Sequence, residues 1–212
     1  MPPKDSIGNM ESFLSVMRTR FACKRYGDTP ITDRQLAGIL EAGRLSPTSF
    51  GLEGWKFHVI QDRKLREDVT KACFDQESVA TAPVTIAIAA LKALSYEPDG
   101  PFVAQRGKRF PGTLEEFIAD YRGYYEFLAS QGRLDCWSRA QCYIASANMM
   151  HAAACEGIQS CAIEGFDESH MARLLQLDTV RWQVALAITF GYQDEQSRIK
   201  IREPLEELVE YH

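Results

Sequence analysis

Helical periodicities interleaved with a few widely spaced apolar runs predict an α+β or α/β domain. Three observations carry that expectation. Residues 84–90 and 184–190 are continuous apolar runs of strand length, as expected of strands buried on both faces. Residues 137–156 form a much longer apolar-periodic stretch that reads as a helix. The chain of 212 residues is long enough for one domain with a substantial core.

The elements follow in order. Residues 10–20 read as a short amphipathic helix with Phe13, Leu14 and Met17 on one face. After the Gly-Asp-Thr-Pro break at 27–30, Thr32 is placed to cap a second helix, with Gln35 completing a capping box. Leu36, Ile39 and Leu40 form its apolar face, and Pro47 bounds it. Residues 56–61 alternate as a half-buried strand, and 62–72 read as a polar helix. Residues 97–112 hold three prolines and three glycines and are expected to form a loop or lid. An aromatic-rich helix is expected over 114–129, extending the lid region to 130. The 137–156 helix is rich in Ala and Ser, which allow close helix approach, and Gly157 suits its C′ position. Residues 160–163 read as a short strand, Asp167 as the cap of a helix through Leu175, and 193–212 as a polar C-terminal arm.

Composition narrows the function classes. The balance of 45% hydrophobic and 25% charged residues is that of a folded domain. A net charge of −5 argues against nucleic acid as a partner. The longest apolar run is too short to span a bilayer, and the N-terminal residues lack a signal-peptide pattern, so a cytoplasmic protein without a membrane partner is expected. The six cysteines are scattered, with no CxxC pair, and most read as small buried hydrophobes. His151 and Cys155 have metal-ligand spacing on one helix face, but no further ligands accompany them, so no metal is expected. Neither G-x-G-x-x-G after a strand, nor a P-loop, nor G-x-S-x-G, nor H-E-x-x-H occurs.

Five ordered segments carry more. They are RFACKRY at 20–26, AGRLSPTSFGLEGWKF at 42–57, ATAPV at 80–84, IEGFD at 163–167 and KIREP at 200–204. Together they resemble the FMN-dependent nitroreductase family in order and spacing over nearly the whole chain. The start at 20–26 and QCYIA at 141–145 are most similar to its oxygen-insensitive NAD(P)H nitroreductase branch. The resemblance implies an α+β nitroreductase-like fold: a central, mostly antiparallel sheet flanked by helices, in an intertwined homodimer. It implies an enzyme that moves hydride from NAD(P)H through FMN to a nitroaromatic, a quinone or a similar small electron-poor acceptor, by a ping-pong scheme. A flavin-fragmenting or reductive dehalogenating relative, and a non-catalytic flavin-binding protein, stay open as alternatives.

The resemblance also assigns residues. Arg20, Lys200 and Arg202 are the cations for the FMN phosphate, a pairing that suits forked guanidinium donors and a point charge. Lys200 and Arg202, two apart on an extended segment, project to one side. Phe21 and Ala22 lie beside them. Lys24 is placed near the flavin pyrimidine edge, where a fixed cation favours the reduced anion. Ile163, Glu164 and Gly165 pass the reactive edge, with a backbone N–H of Glu164 or Gly165 toward N5. Pro47, Thr48, Ser49 and Gly51 reach the flavin from the second subunit. The flavin itself does the chemistry, so no catalytic side chain is expected. Tyr121, Tyr124, Tyr125 and Phe127 divide between substrate cover and helix packing, and Trp55 packs beneath the site.

The chain also departs from the family pattern. Ala22 stands where serine is usual, Gly51 where asparagine is usual, and Glu53-Gly54 where Gln-Pro precedes the tryptophan. The family's asparagine and lysine near the flavin pyrimidine fall around residues 75–78, where neither residue type occurs, so no contact is carried over.

Overall fold

The two apolar runs become the central strands of one four-stranded sheet. In the computed structural model, which describes residues 6–212 and side chains from residue 10 onward, the strands are β1 (Trp55–Ile60), β2 (Val84–Leu91), β3 (Gln159–Ile163) and β4 (Trp182–Gly191). Their order is β1-β2-β4-β3, and every pairing is antiparallel. The α+β expectation therefore holds over α/β. Every residue of β2 is buried. Alternation splits the two faces, with a bulge at Ala185, where the β2–β4 register shifts, that puts Val184 and Leu186 on opposite sides. Ile86, Ile88, Leu186, Ile188 and Phe190 pack under Cys142, Met149 and Ala153 on one side, while Ala87, Val184 and Ala187 meet Val69, Ala72 and Met171 on the other.

Eight helices are described: α1 (Ser6–Thr19), α2 (Asp33–Arg44), α3 (Arg63–Ala72), α4 (Glu77–Ala80), α5 (Pro101–Gly107), α6 (Leu114–Ser130), α7 (Leu134–Cys155) and α8 (Glu168–Leu174). Helices α2 and α7 cover the first face of the sheet, and α3 and α8 the second. The Thr32–Gln35 capping box forms as expected, and Asp62 and Asp167 accept from Leu65 N–H and His170 N–H to start α3 and α8. Gly157 follows α7 at φ +74°, the left-handed turn that lets the chain drop into β3.

One expectation is corrected. Residues 97–112 are not an irregular loop, because α5 occupies their middle. Pro101 sits in its first turn after Gly100, where the missing N–H costs no hydrogen bond, so proline density marks a helix start here. Tyr121 likewise belongs to the core: it is fully buried and donates to the Tyr96 carbonyl at 2.8 Å. The cysteines behave largely as expected, all free, with Cys23, Cys73, Cys142 and Cys161 buried and Cys136 and Cys155 exposed. Burial pushes the Cys23 and Cys142 thiols up to about 12 and the Cys73 thiol to about 11, which leaves them inert near neutral pH. No described helix is long and apolar enough to cross a membrane.

The double-sided sheet generates a prediction. Ile188→Ala removes a fully buried side chain between β4 and α7 and should cost about 2–5 kcal/mol. Urea unfolding at fixed protein concentration measures this, and a loss under 1 kcal/mol would show that the cluster around Ile188 does not carry the fold.

Candidate functional site: a basic crevice where the chain ends meet

Backbone pairing brings the two ends of the chain together. After α1, Ala22 forms a parallel bridge with Ser160 on the edge strand β3, and Cys23 N–H donates to the Ser160 carbonyl at 3.3 Å. Four residues on, Tyr26 bridges Gln193 just past β4. Arg25 clasps the Asp194 carbonyl at 2.7 and 2.8 Å, and the backbone N–H of Lys24 donates to the Glu195 carboxylate. The segment after residue 195 is thereby led back past residues 20–22. Lys200 Nζ donates to the Met17 carbonyl at 2.5 Å, which ties it to the last turn of α1.

Two adjoining crevices result. One, of about 300 Å³, is lined by Arg20, Phe21, Ala22 and residues 198–202; the other by Leu14, Met17, Arg18 and His151, and both share Arg20, Lys200 and Arg202. No carboxylate is among the described residues that line either. The crowding is visible electrostatically. Burial, then the neighbouring Arg202 charge, lowers the Arg20 guanidinium below its ordinary range. Burial, then Arg20 and Arg202, lowers the Lys200 ammonium. Three cations held this close favour any anion that enters. The sequence placed Arg20, Phe21, Ala22, Lys200 and Arg202 at one site, and the structure brings these five together.

Lys24 stands apart from that lining. Its Nζ lies 3.2 Å from Cys161 Sγ, beside the strand that leads to Ile163. Ile163 points into the core, whereas Glu164 and Gly165 are exposed in the turn that follows. That turn is pinned from three sides. Tyr143 Oη donates to Glu164 Oε1 at 2.5 Å, Gln76 Nε2 donates to the Gly165 carbonyl at 2.7 Å, and Asp167 N–H donates to the Ala72 carbonyl at 2.8 Å. The phenol of Tyr143 is pushed up to about 12 by burial and by its carboxylate partner, so it remains a donor.

Residues 47–51 do not line the crevices. They lie at the end of α2 against α7, where Ser49 N–H donates to Gln141 Oε1 at 3.0 Å and Asn148 Nδ2 donates to Ser46 Oγ at 2.8 Å. Phe50, Gly51 and Glu53 all have φ of +50° to +57°. The departures from the family pattern find their reasons here. A Cβ on Gly51 would meet the Phe110 ring at 2.3 Å, and one on Gly54 would meet Tyr96 Oη at 1.9 Å. Glu53 pairs with Arg109 at 3.0 Å and with Arg106 at 3.8 Å, while Arg109 also donates to the Gly51 carbonyl at 2.7 Å. The α5 segment is thus latched onto the 50–53 loop.

Sequence reasoning missed Gln76, Arg18 and His151. Gln76 carried a signal, since it lies in the 75–78 stretch where family contacts were sought, but its residue type differs. His151 was weighed only as half of a metal pair. Among the described residues no group of three potential metal ligands exists, and His151 instead lines the basic crevice.

An antiparallel α+β sheet with a basic crevice at its joined chain ends defines the class, and the comparisons are specific. The chain belongs to the nitroreductase family, whose model matches residues 17–192. A Haemophilus influenzae protein named "Putative NAD(P)H nitroreductase" is 33% identical, over 95% of this chain and 96% of that protein. A solved nitroreductase-like protein from Streptococcus mutans superposes with a TM-score of 0.83 at 18% identity, covering 96% of this chain and 99% of that one. A protein from Exiguobacterium sibiricum, solved in complex with FMN, has a TM-score of 0.79 at 19% identity over 94% of this chain and 97% of that one. These structural likenesses establish the fold. The family match ends before Lys200, so the C-terminal cations rest on the geometry described above.

The latch is testable. Gly51→Asn should destabilise the protein by about 1–3 kcal/mol through the clash with Phe110. Phe110→Ala in the same chain should recover part of that loss. A double-mutant cycle from urea unfolding reads the coupling, and strictly additive effects would separate the two residues.

Proposed function

We propose that this chain is an FMN-dependent oxidoreductase that draws on NAD(P)H to reduce nitroaromatics, quinones or similar small electron-poor acceptors, working as a homodimer. The observation that carries the proposal is the convergence of Arg20, Lys200 and Arg202 on crevices whose described lining holds no carboxylate. That donor set fits a phosphate monoester: two forked guanidinium groups and one ammonium, each short of counter-charge. Family membership and the relative's NAD(P)H nitroreductase name support the activity, and the FMN-bound neighbour supports the cofactor.

On this reading Arg20, Lys200 and Arg202 hold the phosphate, with Phe21 and Ala22 beside it. Ala22 brings no hydroxyl, so the cations supply the specific contacts. Lys24 sets a positive charge near the pyrimidine edge of the ring. The pinned turn of Ile163, Glu164 and Gly165 offers a backbone N–H to N5, and its three tethers keep that donor from wandering. Pro47, Thr48, Ser49 and Gly51 of a second copy complete the ring's surroundings. When bound, FMN supplies a two-electron carrier that accepts hydride from NAD(P)H and passes it on, so donor and acceptor take turns in one slot. The chain's own task is to bind, orient and exclude water, and no acid–base dyad is required.

The test is spectroscopic. Purified protein should carry a flavin absorbance band that bleaches when NADPH or NADH is added without oxygen and returns on adding a nitroaromatic or a quinone. Arg20→Ala and Arg202→Ala should each weaken FMN binding about 10- to 100-fold, the range for loss of a charged hydrogen bond. Colourless protein whose thermal unfolding is unmoved by FMN would sink the proposal.

A further inference from the structure

Beside its permanent cations the basic crevice holds a group that can change its charge. His151, in the last two turns of α7, lines it together with Arg18, Arg20, Lys200 and Arg202. The Phe13 ring of α1 packs edge-on against the imidazole at 5.5 Å between centroids, which fixes His151 between α1, α7 and the returning C-terminal segment. We infer that His151 is a titratable arm of the same anion cradle: it takes up a proton when a phosphate ester binds to Arg20, Lys200 and Arg202, and it makes that binding tighter as pH falls. The inference rests on the proposed phosphate role of those three cations and extends it to a residue outside the five motif segments.

The argument is one of surroundings. Every charged group that lines the crevice around His151 is a cation: Arg18 from α1, Arg20 from the segment after α1, and Lys200 and Arg202 from the C-terminal segment. On its own helix, Cys155 lies one turn on. The acidic Glu11 of α1 is engaged with Arg18 at 2.6 Å. A histidine among like charges is held neutral; burial first, then Arg20 and Lys200, keep this imidazole below its ordinary range. An entering phosphate reverses the sign of the local field. The imidazolium, disfavoured in the free protein, becomes a fourth positive partner for the anion. The sign follows from linkage. The protonated form gains on binding, so the added affinity is complete below the free-protein pKa and is lost as pH rises through the pKa of the bound form. The cradle thus keeps three permanent charges for binding at any pH and one conditional charge that sets how firmly the ester is retained.

The experiment follows the imidazole directly. The chain has four histidines, so the ring C–H signals are few, and His151→Gln identifies the one that matters. The full-length protein, stripped of flavin, is titrated from pH 5.5 to 8.5 alone, with inorganic phosphate, with riboflavin and with FMN. The His151 signal should titrate at higher pH with FMN or phosphate than without, and riboflavin should leave it in place. In parallel, flavin fluorescence quenching gives FMN affinity for the wild type and for His151→Gln. Their ratio should rise about tenfold from pH 8.5 to pH 5.5, the equivalent of one pKa unit of coupling. The ionisation of the FMN phosphate is common to both proteins and cancels in the ratio. FMN that binds without moving the His151 titration, or that moves it no more than riboflavin does, overturns the inference and leaves the proposed cofactor role intact. Phosphate that moves His151 in a protein that does not bind FMN upholds the cradle and overturns the cofactor. A signal indifferent to both anions, in a protein that also fails to bind FMN, overturns the two together.

Discussion

The arrangement depends on a short stretch of backbone pairing that lies outside the four-stranded sheet. Residues 22–26 are bonded on one flank to Ser160 at the edge of β3 and on the other to Gln193, Asp194 and Glu195 just beyond β4. That join decides where the C-terminal segment goes. Without it, Arg20 and the pair Lys200 and Arg202, 180 residues apart in the chain, have no reason to meet. Like charges do not gather unaided, and the Coulomb cost of bringing them together is offset by the hydrogen bonds of the join and by the tether from Lys200 to the end of α1. The sheet supplies the stability; the join spends a little of it to hold a site that lacks its counter-charge.

Much of this was legible in the sequence, for physical reasons that differ by element. The strands at 84–91 and 182–191 announced themselves because strands buried on both faces need unbroken apolar runs. The caps at Thr32 and Asp167 were legible because a helix start must satisfy its own N–H groups within three residues, and Asp62 does the same for α3. The gathering of Arg20, Lys200 and Arg202 was not legible from composition or periodicity, since nothing local links residue 20 to residue 200; ordered motif resemblance supplied that link. Helix α5 was misjudged because proline and glycine counts do not say on which side of a helix boundary they stand.

The departures at 51–54 show a different limit. Each looked like a missing contact when the motif was read alone. In the structure each is matched by a group from another part of the chain: Gly51 by the Phe110 ring, Glu53 by Arg106 and Arg109, and Gly54 by Tyr96. An asparagine at 51 is compatible with positive φ, but the space its side chain needs is already filled. The loop and the α5 segment form one unit, so what replaced the usual residues is a packing solution that no single position reveals.

The C-terminal segment carries two patterns at once. Arg198, Lys200 and Arg202 alternate with Ile199 and Ile201, and all five line the crevice beside Arg20. Ile199 and Ile201 are 91% and 83% exposed even so, and are followed by exposed Leu205 and Leu208. Apolar side chains so fully in water call for a covering surface. On the proposed homodimeric reading, a second copy supplies it. Covering Ile199 and Ile201 would then hold Lys200 and Arg202 in the geometry that the anion needs, and an anion bound to Lys200 and Arg202 would present Ile199 and Ile201 to the partner. On that same reading one stretch of chain would serve both cofactor binding and subunit association, and each would lower the ordering cost of the other.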